Sequence, residues 1–171
     1  MRTFEELKQE LLNRAKNAGA CANGCRMGLE SKNKLDLLKA ITANWFWVLR
    51  TARIIDAAFL EENFTEEELS EAGIYTKGHH EVSSDSFACG SATVKAYDSA
   101  TVKAYDSVTV EACGSATVEA YDSATVKAYG SSYVEDCIGN IRPQSDYAIV
   151  KDYYNHKIYI KKGKFEIIEI D

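Results

Sequence analysis

The sequence predicts an α+β chain: a small N-terminal helical bundle, then a short β-solenoid (β-helix) of eight-residue repeats, capped by a C-terminal β-meander. Three observations carry this reading. The stretch from Ser86 to Asp136 repeats with a period of eight, which marks a repeat architecture and overrides any element-by-element reading. Before it, apolar residues recur at helical spacing behind capping signals. After it, three short strand-like runs are separated by turn residues. The expected division is residues 1–80 helical, 81–140 solenoid and 141–171 strand cap.

In the first part, Thr3-Phe4-Glu5-Glu6 forms a capping box, and Phe4, Leu7, Leu11, Leu12 and Ala15 follow at helical spacing to a stop near Gly19. Cys21 and Cys25 come next, four apart. That spacing suits a helical metal pair, but no Cys or His nearby completes a tetrahedral shell, so two small buried residues are expected. Asn33 caps a helix predicted to run through Leu37, Leu38, Ile41 and Trp45 to about Arg50. Trp45-Phe46-Trp47 puts aromatics on more than one side of it. A short helix spans Asp56–Asn63, and Thr65 with Glu68 opens another that stops at Gly73. The glutamates of these two helices would repel a nucleic-acid duplex. Ile74–Asp85 reads as a linker, and adjacent His79 and His80 point apart on extended chain.

Each repeat, as in Ser91-Ala92-Thr93-Val94-Lys95-Ala96-Tyr97-Asp98, alternates small apolar residues with Thr, Lys or Glu, and Tyr. Period two marks a strand with an Ala/Val inner face, and Gly or Asp before Ser marks a corner. Two copies per coil are expected. Three would leave a hollow centre, at about 24 cal/mol per Å³ of cavity. Two also set Lys95 beside Glu111, Glu111 beside Lys127 and Lys103 beside Glu119, leaving Glu119 with Glu135 as the like pair. Cys89, Cys113 and Cys137 dissent, since they fall three copies apart and would stack in a triangular coil. Beyond Pro143, strands are expected at Tyr147–Val150, Lys157–Ile160 and Lys164–Ile170. A solenoid end must be capped against polymerisation, and the meander supplies the final cap.

Composition narrows the function. Five cysteines without CxxC spacing fit free thiols. No apolar stretch is long enough for a membrane span, and Met1–Lys8 lacks a secretory pattern, so a cytoplasmic location is expected. Residues 86–140 carry three Lys and Arg against seven Asp and Glu, the wrong sign for gripping phosphates. No G-x-S-x-G, phosphate loop or H-E-x-x-H occurs, so neither an enzyme nor a bound cofactor or metal is expected.

Runs of Ala-Thr-Val-x-Ala-Tyr followed by Asp or Gly and Ser, behind a capped helical region, resemble a loose group of octapeptide-repeat proteins from prophages and mobile elements of gut bacteria. Some proteins of that kind look like anti-CRISPR inhibitors. The resemblance implies a mobile-element inhibitor of a host defence system and assigns no residues. The octapeptide is also similar, in its length and Tyr-Gly-Ser corner, to the repeats of bacterial ice-nucleation proteins. Here a Lys or Glu interrupts every Thr row.

A non-enzymatic protein-binding protein is therefore expected, with Trp45 and Trp47 of the head and the outward Tyr97, Tyr105, Tyr121 and Tyr129 as contact residues. The alternative is a structural or self-associating repeat protein that forms a homo-oligomer.

Overall fold

The computed structural model describes residues 2–168. The chain divides into two compact units, Met1–Thr76 and Lys77–Asp171.

The first unit is helical. In α1 (Phe4–Asn17), the Thr3 side chain accepts the Glu6 N–H, and the Glu6 carboxylate accepts the Thr3 N–H at 2.9 Å. Two orphan donors of the first turn are thereby satisfied. Cys21 caps α2 (Ala22–Glu30), its sulfur accepting the Gly24 N–H at 3.4 Å. Asn33 caps α3 (Lys34–Ala43). The helix expected to reach Arg50 breaks at Asn44, whose side-chain amide donates back to the Ala40 carbonyl at 2.8 Å. Such back-bonding competes with the helix ladder, and a π-turn, Trp47–Thr51, follows the break. Asp56 caps α4 (Ala57–Asn63), and a second capping box opens α5 (Glu66–Glu71). The short strand β1 (Ile74–Tyr75) comes after it. Leu7, Leu11, Leu38, Trp45, Leu60 and Phe64 are core residues of this unit.

The second unit is a parallel β-solenoid of about five turns. Its strands are β2 (His79–Val82), β3 (Ser86–Ala88), β4 (Thr93–Ala96), β5 (Thr101–Ala104), β6 (Thr109–Ala112), β7 (Thr117–Ala120), β8 (Thr125–Ala128), β9 (Tyr133–Asp136), β10 (Ile149–Asp152) and β11 (Lys157–Tyr159). One wall is ordered β2-β4-β6-β8, and the other runs β3-β5-β7-β9-β10-β11. Thr93 pairs with Thr109 and Thr109 with Thr125, so a coil takes sixteen residues, two copies. Every predicted inner residue, from Ala92 and Val94 to Val126 and Ala128, is buried. The charge register follows as expected, with Lys103 bridging Glu119 at 3.2 Å and Lys127 bridging Glu111 at 3.5 Å.

The cysteines do not form one column. Cys113 follows Tyr97 on one edge, while Cys89 and Cys137 share the other edge with Tyr105 and Tyr121. The corners explain why the period is eight. The last residue of each copy is left-handed: φ is 71° at Gly90, 54° at Asp98, 56° at Asp106, 63° at Gly114, 57° at Asp122 and 63° at Gly130. Asp is among the few non-glycine residues that enter this region at modest cost. Asp106 also accepts the Gly90 N–H of the preceding coil at 2.9 Å. At Gly130 no side chain fits, because a Cβ there would lie 2.7 Å from the Gly114 carbonyl oxygen.

Both ends of the repeat extend further than its sequence does. Residues 79–82, expected within a linker, form β2, which pairs with β4 and buries Val82 against the inner space. The expected meander is an antiparallel pair, β10 with β11, and β10 also continues the solenoid by pairing in parallel with β9. Tyr133 lies opposite Ile149, sixteen residues on, so the irregular segment containing Pro143 occupies one full coil. On the other wall, Pro143 takes the place beside Ala128. Lys164–Ile168 forms no strand, and the rest of the third expected strand lies outside the described residues.

Within this last coil, the inner Ala column becomes acidic. Asp136 stands beside Ala120, and Asp152 beside Asp136. Both are buried. The Asp136 carboxylate accepts the N–H groups of Ile138, Gly139 and Ile141, each at 2.8 Å, and so folds the long corner. Asp152 accepts both the backbone N–H and the side-chain amide of Asn155 at 2.8 Å.

Candidate protein-binding surfaces

The six residues expected to contact a partner divide by exposure. Trp45 and Tyr105, at 2 % and 1 % exposure, are buried and present no surface. Trp45 falls to the core because the break at Asn44 turns it inward, leaving Phe46 exposed and Trp47 half-buried. Tyr105 is covered within its corner column, where it lies between Cys89 and Tyr121. The seventh residue of each copy lies past the strand end, at the corner. There Tyr105 stacks on Tyr121 with ring centroids 4.7 Å apart. Tyr97 and Tyr121 are half-buried, and Tyr129 is exposed. Burial pushes the Tyr121 phenol up, with Cys137 and Glu119 adding to the shift. Cys89 is buried rather than outward, while Cys21, expected inside, is exposed.

A more open apolar surface lies on the last two strands, outside the repeat. Ile149 and Lys151 alternate outward along β10, and Tyr153, just past the strand end, lies against the outward Glu135 and Lys151. Ile158 sits opposite Lys151 on β11 and joins them. Tyr147, Tyr153 and Ile158 are 55 %, 42 % and 65 % exposed. Polar contacts hold this face in place. The Tyr153 and Tyr133 hydroxyls donate to the same Glu135 oxygen region at 3.2 and 3.4 Å, and the Lys151 ammonium lies 4.4 Å from the Tyr153 ring centre. Its hydrogen bond to Tyr153 holds the Lys151 ammonium above its ordinary pKa. Tyr147 meets Phe165 edge-on at 6.2 Å, and Lys164 bridges Asp146 at 2.8 Å. The sequence signal for this face is the tyrosine density of Tyr147, Tyr153 and Tyr154, outside the repeat.

The helical unit holds a second feature that sequence reasoning missed. A cavity of about 320 Å³ lies among α1, α2, α3 and the π-turn, lined by apolar side chains including Leu12, Ala15, Ile41, Trp47, Val48 and Ile54. Trp47 is thus a wall of a concavity rather than a flat contact. Cys21 and Cys25 also border it. Among the described residues there is no cluster of three or more His, Cys, Asp or Glu able to hold a metal ion, and no helix long and apolar enough to cross a membrane.

Comparison of the chain with protein families, curated proteins and solved structures finds no match.

Proposed function

We propose that the protein acts by binding another protein, without chemistry of its own, through the outer face of its last two strands. One observation carries the reading: Tyr153 and Ile158 stand well exposed on either side of the outward Lys151, and exposed Tyr147 lies in the turn that leads into the same strand. Contiguous apolar exposure marks interaction surfaces, and tyrosine is enriched where partners bind. The repeat walls supply a stiff support dominated by Thr and paired charges. The inhibitor form of this function, a mobile-element protein that blocks a host defence, is supported by the resemblance of the octapeptide runs.

The test uses the intact chain as bait in its native host, followed by a direct binding measurement with the purified partner. Tyr153→Ser combined with Ile158→Ser is expected to weaken that binding by about tenfold or more, while Thr125→Ser on the repeat wall leaves it unchanged. Absence of any direct partner, or equal binding by both variants, would overturn the assignment. For the inhibitor form, expressing the chain in cells carrying a CRISPR interference reporter should raise phage survival.

A second reading, self-association, is favoured by the position of Ile158 on β11, the last strand of its sheet among the described residues. Exposed apolar edge strands pair with further copies. Sedimentation velocity would then show a concentration-dependent dimer that Ile158→Lys abolishes.

A further inference from the structure

We propose that the cavity of the helical unit is a binding site for a medium-chain carboxylate of the fatty-acid class, its chain inside and its carboxylate at the mouth. The lining is wholly uncharged, and the volume of about 320 Å³ reaches the range of small-molecule pockets. A closed core would have filled such a space, since empty apolar volume is destabilising. Gly24 leaves it open on the α2 side: a Cβ there would meet only Asn44 and Cys21 at 3.6–3.7 Å, which is ordinary contact. The opposite wall contains the π-turn, a distortion frequent at functional sites.

The charge around the mouth selects the ligand. Exposed Gly19 and Cys21 border the cavity and mark where it opens. Lys16 follows the lining residues Leu12 and Ala15 at this end of α1, and its carbonyl accepts the N–H of the lining residue Gly19 at 3.1 Å. Arg53, also exposed, immediately precedes the lining residue Ile54. The two segments meet, because the Arg14 guanidinium donates to the Ile54 carbonyl at 2.8 Å. Lys16 and Arg53 are both exposed and make no ion pair among the described residues. The acids next to lining residues are already engaged. Glu10 is bridged by Arg2 and Arg14, Asp36 accepts the Lys32 N–H, and Asp56 accepts the Phe59 N–H. Residues 1–56 carry ten Lys and Arg against six Asp and Glu, whereas residues 57–76 carry six Glu and no Lys or Arg. An apolar body with an anionic head matches this site. A cationic amphiphile does not.

The probe is dodecanoate, kept below its micelle concentration, titrated into the intact chain. Tryptophan emission is the readout, because Trp47 lines the cavity. Saturable, one-to-one binding is expected, with dodecyltrimethylammonium binding at least tenfold more weakly. Lys16→Glu with Arg53→Glu changes only exposed residues and is checked for native helicity by circular dichroism; it should weaken dodecanoate by about tenfold and leave dodecanol unchanged. Gly24→Leu, checked for native helicity by circular dichroism, should fill the space and remove binding of all three. No saturable binding of dodecanoate would overturn the proposal. So would equal affinity for the anionic and cationic chains, or dodecanoate binding indifferent to the charge-reversed pair.

Discussion

The repeated coils and the last coil solve one geometric problem with opposite chemistry. In both, successive strands of a wall are sixteen residues apart and hydrogen-bond in parallel. The repeats keep that spacing with an inner column of alanine and with left-handed Gly or Asp corners. The last coil keeps it with an irregular loop gathered onto one buried carboxylate, Asp136, and with Asp152 behind it. A coil therefore needs a ladder and an inner residue small enough for the gap. Whether that residue is apolar or charged depends on whether backbone N–H groups are there to receive it.

The most damaging change should be one that mixes the two solutions. Val110→Asp places a carboxylate in the middle of the repeat, where the inner column holds only Ala and Val and no loop amide is at hand. The expected cost is about 3–5 kcal/mol, measured by urea unfolding. Asp136→Ala makes the reverse mixture. By repeat consensus it should be harmless, since Ala120 occupies the matching place. We expect instead a loss of about 2–3 kcal/mol, because the N–H groups of Ile138, Gly139 and Ile141 lose their acceptor together. If Asp136→Ala unfolds at the wild-type midpoint, the last coil is held by its ladder alone.

Next in size is a corner. Gly130→Ala places a side chain at φ 63°, with its Cβ 2.7 Å from the Gly114 carbonyl oxygen. Left-handed strain costs about 1–2 kcal/mol, and the close contact adds to it. Asp98→Gly, at the start of the same corner column, should instead be neutral or slightly stabilising, since its φ is already 54°. Comparing the two melting temperatures tests whether the choice between Gly and Asp at a corner is a steric rule or chance. Equal melting of both variants and wild type would make it chance.

The same contrast explains what could be read beforehand. Inside the repeat, parity alone placed Ala92 to Ala128, and the charge pairs distinguished two copies from three. At its edges the words changed but the geometry did not. Ala148-Ile149-Val150-Lys151-Asp152-Tyr153 follows Ser132-Tyr133-Val134-Glu135-Asp136-Cys137 at sixteen residues, with Val on Val and Asp on Asp. That register is visible in the sequence once the coil length is known, yet it is not a repeat at eight. His79–Val82 was harder, because its pairing with Thr93–Ala96 is fourteen residues on, two short of the rule. Tyr105 was misplaced because its cover comes from Cys89 and Tyr121, its neighbours sixteen residues away on either side. The cavity left no periodic trace: its walls come from three helices and a π-turn whose approach is a tertiary outcome.

The smallest effect concerns the second buried carboxylate of the last coil. Burial alone would raise the Asp152 carboxyl, but the hydrogen bonds from the Asn155 side chain and backbone, with Arg142 nearby, outweigh it and hold the group below the ordinary aspartate range. A carboxylate depressed in the folded state binds its proton more readily when unfolded, so stability rises with pH wherever the unfolded chain is the more protonated. Asp152 should thus contribute in full above the unfolded value of about 4, and lose its contribution as pH falls through its lower folded value. The measurement is the melting temperature between pH 7 and pH 3, for wild type and for Asp152→Asn. The variant keeps a side chain of the same shape but cannot titrate, so its curve should fall less steeply below about pH 4. Parallel curves would mean that Asn155 binds the neutral and charged forms of Asp152 alike.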